Sequence, residues 1–308
     1  MKTINAIRIL VLAALLLPAV AAADSHNTFE EVLSVPDALH LEVSTGAGSI
    51  NIDTGPDGSV SVIGKVKVNR RGLFRRGGDA DEIIQYVVDN PPIELFGDTL
   101  VIGKIEDGGI RRRVNISYTL VVPADTAVKA KSGSGSIEVN DVAASVEVHT
   151  GAGRLRLANI GAPVTAKAGS GSITAEGVAG AFTASTGSGS IQMSQTAPGD
   201  VKASTGSGSM ELTGVVGAVK AKAGSGRIRI DGRQEGDWKV NAGSGSVRIR
   251  LPADAAFTLD AETGSGGIDI EHPLTVEGKV SKRHLRGDVR GGGHLLRIDT
   301  GSGGVRIE

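Results

Sequence analysis

The chain contains no cysteine. That excludes disulfides, a thiolate metal site, a cysteine nucleophile and a lipidated N-terminal cysteine. Aromatic residues are scarce, 3% of 308 residues, so the core cannot be a wide one filled by Phe and Trp. It has to be narrow and lined by Val, Ile and Ala. The formal net charge is -1, which argues against a generic polyanion binder and against a nucleic-acid partner. No apolar run after Val20 approaches the ~20 residues of a membrane span, so no transmembrane span is expected in the mature chain. What the chain has in excess is glycine, 45 residues, about twice the usual ~7% share.

Residues 1–23 read as a secretory signal peptide. Lys2 and Arg8 supply the basic start, Ile9–Val20 the apolar middle, and Ala21–Ala23 the small residues before a cut ahead of Asp24. The expected product is an exported protein, periplasmic or at the cell surface.

The glycines are ordered. "VKAKSGSGSIEV" begins at Val128, "VEVHTGAGRLRL" at Val146 and "VTAKAGSGSITA" at Val164. Gly-Ser-Gly or Gly-Ala-Gly triplets start at Gly46, Gly133, Gly151, Gly169, Gly187, Gly206, Gly224, Gly243, Gly264 and Gly301, with steps of 18 or 19 residues from Gly133 to Gly243. A fixed period of this size means stacked supersecondary units. Apolar residues five and three places before each triplet (Val146 and Val148, Val201 and Ala203, Trp238 and Val240) alternate with polar ones, and the alternation resumes after it (Ile137, Leu155, Ile173, Met210). Period-two alternation marks half-buried strands. Each unit is therefore strand, glycine corner, strand, loop. Two architectures fit: an all-β solenoid with residue i over i+18, or an antiparallel meander in which each triplet is a hairpin turn. The identical columns of small residues and the aliphatic interior favour the β-solenoid, a single domain over 24–308.

The period breaks in an irregular insertion at about 69–112. There Gly78–Asn90 reads as a short helix stopped by Pro91 and Pro92, and Ile93–Gly103 as a hairpin around Gly97-Asp98. "PAD" occurs at Pro123 and again at Pro252, suggesting one strand-exit geometry used twice. Val280–His294 reads as a glycine-rich loop before a last rung.

The rung "LEVSTGAGSINI", the passage "YTLVVPADTAVKAKSGSGSIEV" and the closing "LLRIDTGSGGVRI" together resemble an adhesin-type β-strand-repeat family of unknown function, related to the "GIN" head-domain family of auto-transporter-like adhesins. The resemblance covers nearly all of residues 35–308. It implies a right-handed β-helix-like solenoid and an envelope location, and it carries over no catalytic residue.

The triplets precede strands, whereas a phosphate-binding glycine loop opens a helix. Calcium-binding solenoids need aspartate where serine stands here. Asp260, Glu262, Asp269 and Asp299 fall on outward positions of the last rungs, as a solvated acidic face or a weak cation site. The six histidines (His26, His40, His149, His272, His284, His294) show no metal spacing and read as surface residues. Glu138 and Glu211 share a column but stand four repeats, ~20 Å, apart, too far for a glycosidase pair. No cofactor or metal is implied. The chain is read as a non-enzymatic bacterial envelope protein, a structural or adhesin-like binding scaffold. The alternatives are a carbohydrate-active solenoid enzyme and an envelope signalling or stress accessory that holds a partner protein. Candidate binding residues are the outward lysines Lys129, Lys131, Lys167, Lys202, Lys220, Lys222 and Lys239. Arg154, Arg156, Arg227, Arg229, Arg248 and Arg250 are placed in matching or adjacent columns, with Glu138, Glu147 and Glu211 as partial counter-ions. Such a stripe suits an anionic envelope polymer or glycan, or an envelope protein.

Overall fold

The computed structural model describes residues 25–68, 78–276 and 281–308. The expected signal peptide lies outside these residues, as do 69–77 and 277–280. The fold is an all-β solenoid. Val146–Thr150 runs parallel to Ala127–Ser132 on one side and Val164–Ala168 on the other, with Val146 opposite Val128 and Val164. Leu155–Ile160, which follows the corner, is parallel to Ile137–Asn140 and Ile173–Ala179. Each rung thus supplies one strand to each of two parallel ladders, and the triplet is the corner between them. The meander reading is overturned: the triplets are not hairpin turns.

The alternation decides what is buried. Val146, Val148, Leu155, Leu157 and their counterparts in the other rungs form one continuous hydrophobic cluster. Val201, Val219 and Trp238 stack in one column on successive rungs, all buried. Met210–Ala223 and Ile228–Ala242 run unbroken from the second ladder of one rung into the first ladder of the next, with bulges near Gly214 and Gly217, and so join the two ladders into one sheet.

The glycines of the corner are required by close approach of neighbouring rungs. A Cβ added to the first glycine of the Gly151, Gly169 or Gly206 triplet would overlap the carbonyl of its counterpart on the adjacent rung, and one on the third glycine (Gly153, Gly189, Gly208) would overlap the third carbonyl there. Most of these glycines have ordinary φ; Gly226, at φ +148°, is the exception. The residue just before the triplet completes the corner. The Thr150 hydroxyl donates to the Gly135 carbonyl of the neighbouring rung at 2.9 Å and accepts the N–H of Gly153 in its own corner at 3.0 Å. Thr186 and Thr205 repeat both bonds, to Gly171 and Gly189 and from Gly189 and Gly208, at 2.8–3.1 Å. Ser132, Thr263 and Thr300 build the same motif. One buried hydroxyl therefore satisfies two buried backbone groups that the corner withdraws from the ladder.

Rungs are not stacked in sequence order at either end. Thr99–Ile102 and Val114–Pro123 form a rung outside the Gly46 rung, which lies between it and the Gly133 rung. At the other end the C-terminal strands His294–Thr300 and Val305–Ile307 insert between the Gly243 rung and the Gly264 rung. Both jumps over an intervening rung occur at a "PAD" turn. Thr126 N–H donates to the Pro123 carbonyl at 3.1 Å, and Ala255 N–H to the Pro252 carbonyl at 2.9 Å. Antiparallel strands lie outside the displaced rungs: Thr28–Ser34 with Ser59–Val68, Ile93–Phe96 with Thr99–Ile102, and Leu274–Val276 with His284–Val289. The helix forms at Gly78–Asp89 and the hairpin turns at Gly97, as expected.

Two readings are corrected. The glycine-rich "loop" at 280–294 contains the strand His284–Val289, antiparallel to Phe257–Thr263. His272 is buried, edge-on to Phe257 at a 5.6 Å centroid distance. The aromatic ring supplies an apolar contact that sequence spacing does not reveal.

Substituting Gly189 by Ala should cost at least about 2 kcal/mol, because the obstacle is backbone. Gly108→Ala meets nothing within 4 Å and should stay within about 0.5 kcal/mol. Urea unfolding of the two variants checks this; equal midpoints would show that the corner tolerates a side chain.

Candidate functional site: charged columns on two ladders

Because rungs stack in register, outward side chains form columns ~4.8 Å per step. The first ladder carries the lysines. One column runs Glu42, Lys129, Glu147, Thr165, Thr183, Lys202, Lys220, Lys239, Arg297, Asp260. The second runs Ser44, Lys131, His149, Lys167, Ser185, Ser204, Lys222, Asn241, Asp299, Glu262 along the same strands. The structure therefore places all seven candidate lysines on one face but does not make them equivalent. Lys129 is bound by Glu42 at 2.8 Å, and that hydrogen bond holds the Glu42 carboxyl below its usual pKa. Lys131 and Lys167 are separated by His149. Lys202, Lys220 and Lys239 are exposed neighbours with no ion pair within 4 Å among the described residues. Lys222 lies beside them in the second column.

The arginines are not where the sequence reading put them. Arg156, Arg229 and Arg248 follow the corner and sit on the second ladder, with Glu138 and Glu211 in the same column. Glu211 lies 3.9 Å from Arg229. Of the three proposed counter-ions, Glu147 alone faces the lysines. The corner reverses which ladder a residue joins, so residues before and after it cannot share a face.

Arg297 and Asp260 were missed as members of the lysine column. They arrive there because the last rung is inserted. Asp260 closes the column, accepting from Arg286 at 3.1 Å, with His284 at 3.4 Å and Arg297 at 3.8 Å. It ties together the three strands that seal this end. Asp299 pairs with Arg297 at 3.3 Å, and Asp269 faces Arg306 at 3.8 Å, so the expected acidic face is largely matched by arginine. Among the described residues no cluster of three or more His, Asp or Glu is arranged to hold a metal ion, and no helix is long and apolar enough to cross a membrane.

The Toastrack family model, DUF4097, matches residues 99–308. The chain belongs to the Toastrack family. The match takes in the insertion's hairpin strand, every regular rung from Gly133 onward and the displaced C-terminal rung. Solved structures that match the chain include a candidate cell adhesion protein from Clostridium sporogenes ATCC 15579, with 12% identity and TM-score 0.25, covering 91% of this chain and 98% of that one. A candidate adhesin from Bacteroides fragilis NCTC 9343 has 10% identity and TM-score 0.40, covering 92% and 98%. A candidate lipid-binding protein from Parabacteroides distasonis ATCC 8503 has 14% identity and TM-score 0.29, also covering 92% and 98%. Superpositions this loose carry no argument about ligand. No curated protein matches the Toastrack chain significantly.

Burial opposes ionisation of Asp260, but hydrogen bonds from Arg286 and His284 and the charge of Arg297 outweigh it and hold the carboxyl below its usual value. A depressed folded-state pKa stabilises above the unfolded value and loses that contribution as pH falls through the folded one. Asp260→Asn should therefore lower the melting temperature at neutral pH, with the difference closing below pH ~4. A difference unchanged between neutral and acid pH would remove the ionic clamp.

Proposed function

We propose that this Toastrack chain is an exported, non-enzymatic scaffold that binds an anionic polymer of the bacterial envelope through its first ladder. The observation that carries this reading is the run Lys202, Lys220, Lys239, which has no ion-pair partner among the described residues. Like charges opposed on adjacent strands are mildly destabilising. A stack of three, spanning about 10 Å, is relieved by a polymer that carries negative charge at short intervals. The interior is one continuous hydrophobic cluster, unsuited to a charged polymer, so binding falls to the outer face. Glu138 and Glu211 stand four rungs apart, and of the adjacent outward carboxylates Glu262 and Asp299 the second is engaged by Arg297 at 3.3 Å, so the lysine run is the stronger feature. Residues 1–23 fit export of the chain to the periplasm or cell surface.

A second reading is an accessory protein that holds a partner protein near the insertion. It draws on Tyr86 and Phe96, 55% and 60% exposed.

The test is retention on an isolated anionic envelope fraction. Lys202, Lys220 and Lys239 are changed together to Gln, and binding is measured at low and high salt. The unchanged protein should be retained at low salt and released at high salt, since exposed charges are screened within ~8 Å at physiological ionic strength. The triple variant should pass through at both. Retention of the variant equal to that of the unchanged protein overturns the lysine reading, and capture abolished instead by Tyr86→Ser with Phe96→Ser would favour the second one.

A further inference from the structure

The second ladder carries a different basic feature, unrelated to the lysine face. A surface groove of about 520 Å³ lies across the Gly206, Gly224, Gly243 and Gly301 rungs. Its charged lining is Arg227, Arg229, Arg248 and Arg306, against the single carboxylate Glu211. Gly304 contributes no side chain to the lining, and Ser209 and Ser246 contribute hydroxyls.

Three of the arginines are stacked: Arg229 is opposite Arg248, and Arg248 is opposite Arg306. Arg227 is on the same strand side as Arg229, two residues earlier, and exposed. The four differ in how they are compensated. Arg306 is fixed by Glu271 at 2.8 Å and Glu308 at 2.8 Å, with Asp269 at 3.8 Å. Arg248 shares Glu308 at 3.5 Å, and Glu308 also serves Arg250 at 3.2 Å. Arg229 has Glu211 at 3.9 Å, a distant contact. Arg227 has no ion pair among the described residues. The groove therefore has one wall held rigid by carboxylates and three guanidiniums with donors to spare.

We propose that this groove binds a phosphate monoester, held by Arg227, Arg229 and Arg248. Guanidinium presents its donors in a fixed planar fork that matches phosphate and carboxylate oxygens two at a time. Three such forks, from two columns and two adjacent rungs, offer more donors than the two oxygens of one carboxylate can accept. A phosphate monoester brings three terminal oxygens and nearly two charges. The hydroxyls of Ser209 and Ser246 supply further donors to the same group. The arrangement comes from the displaced rung: Val305–Ile307 is brought beside Val247–Arg250 by the insertion, which adds Arg306 and the side-chain-free Gly304 to the groove.

Glucose 1-phosphate and vesicles containing phosphatidic acid present this group on a sugar and on a lipid. Titration of the full mature chain with each at low ionic strength, by calorimetry and by co-sedimentation, tests the site. Binding of either phosphate is expected, and the arm that responds identifies the source. Arg227→Gln with Arg248→Gln should weaken it at least about tenfold, and Arg156→Gln, in the same column but outside the groove, should change it less than about twofold. Arg227→Lys with Arg248→Lys keeps the charge and loses the forks, and should fall between the unchanged protein and the Gln variant. All these side chains except the half-buried Arg229, which is left intact, are exposed, and unchanged melting temperatures would confirm folding. No binding in either arm, or equal binding by the Gln variant, overturns the proposal.

Discussion

The structure depends on one steric constraint: at each corner from Gly133 onward the backbone of one rung lies so close to the carbonyls of its neighbour that no side chain fits between them. Only glycine meets this at the first and third triplet positions. The close approach withdraws two backbone groups per corner from ordinary ladder bonding, and the Thr or Ser just before the triplet satisfies both. A slip of one rung's register would misplace the carbonyl, the glycine and the hydroxyl together. That coupling is stronger than hydrophobic alternation alone, which in a column of Val and Ala would tolerate a shift of two residues. Ala168, Ala223 and Ala242 stand where the hydroxyl is absent, so some corners rest on packing and glycine alone.

Fixed register has two consequences. It converts sequence into columns, so a residue type repeated every 18 or 19 positions becomes a line of charge on the surface. It also leaves a problem at the ends, where a parallel ladder exposes unpaired edges that invite association. The chain answers by folding back at both ends. At the N-terminal end a later rung closes over the Gly46 rung, at the C-terminal end the last rung slots in beneath the Gly264 rung, and antiparallel strands cover the outer rungs. Terminal units of repeat folds differ from the interior ones for this reason. At the C-terminal end Asp260 joins the strands involved by ionic contacts. At the other end the Gly46 rung is held on both sides, with Lys129 and Glu42 bridging it to its neighbour.

Much of this was readable in the sequence, and the remainder was not for physical reasons. The repeated two-strand unit and its inward column through Val201, Val219 and Trp238 follow from local periodicity, the columns of small residues favour the solenoid over a meander, and the helix and hairpin follow from Pro91-Pro92 and Gly97-Asp98. So does the alignment of the lysines within their ladder. The hydroxyl before the triplet was overlooked because Thr, Ser and Ala alternate there, which dilutes the pattern; its conjunction with a following glycine triplet was the available signal. Rung order is a non-local property that no window of residues encodes. The two "PAD" turns were noticed as a repeated exit, yet their meaning as two-rung jumps needed the paired strands. The step from Gly243 to Gly264, 21 residues against the 18 or 19 of the regular rungs before it, was a numerical hint at this end. Rung order taken from the period alone leaves Arg297 and Asp260 out of the lysine column, and the change of ladder at each corner moves the arginines to the other face.

The Arg297 and Asp260 end of the lysine column, the Arg306 wall of the arginine groove and the closure of the C-terminal end follow from the order of the last rungs: Gly243, then Gly301, then Gly264. The absence of native cysteine allows that order to be read directly. Ser244 and Ser302 lie at the same corner position on adjacent rungs, about 5 Å apart, within reach of a disulfide, whereas Ser244 and Ser265 are two rungs, about 10 Å, apart and beyond it. Under mild oxidation the Ser244→Cys, Ser302→Cys protein should cross-link within the monomer, and the Ser244→Cys, Ser265→Cys protein should keep free thiols. The opposite result, with the second pair linked and the first reduced, would mean that the rungs stack in sequence order and would contradict the structure of the C-terminal end.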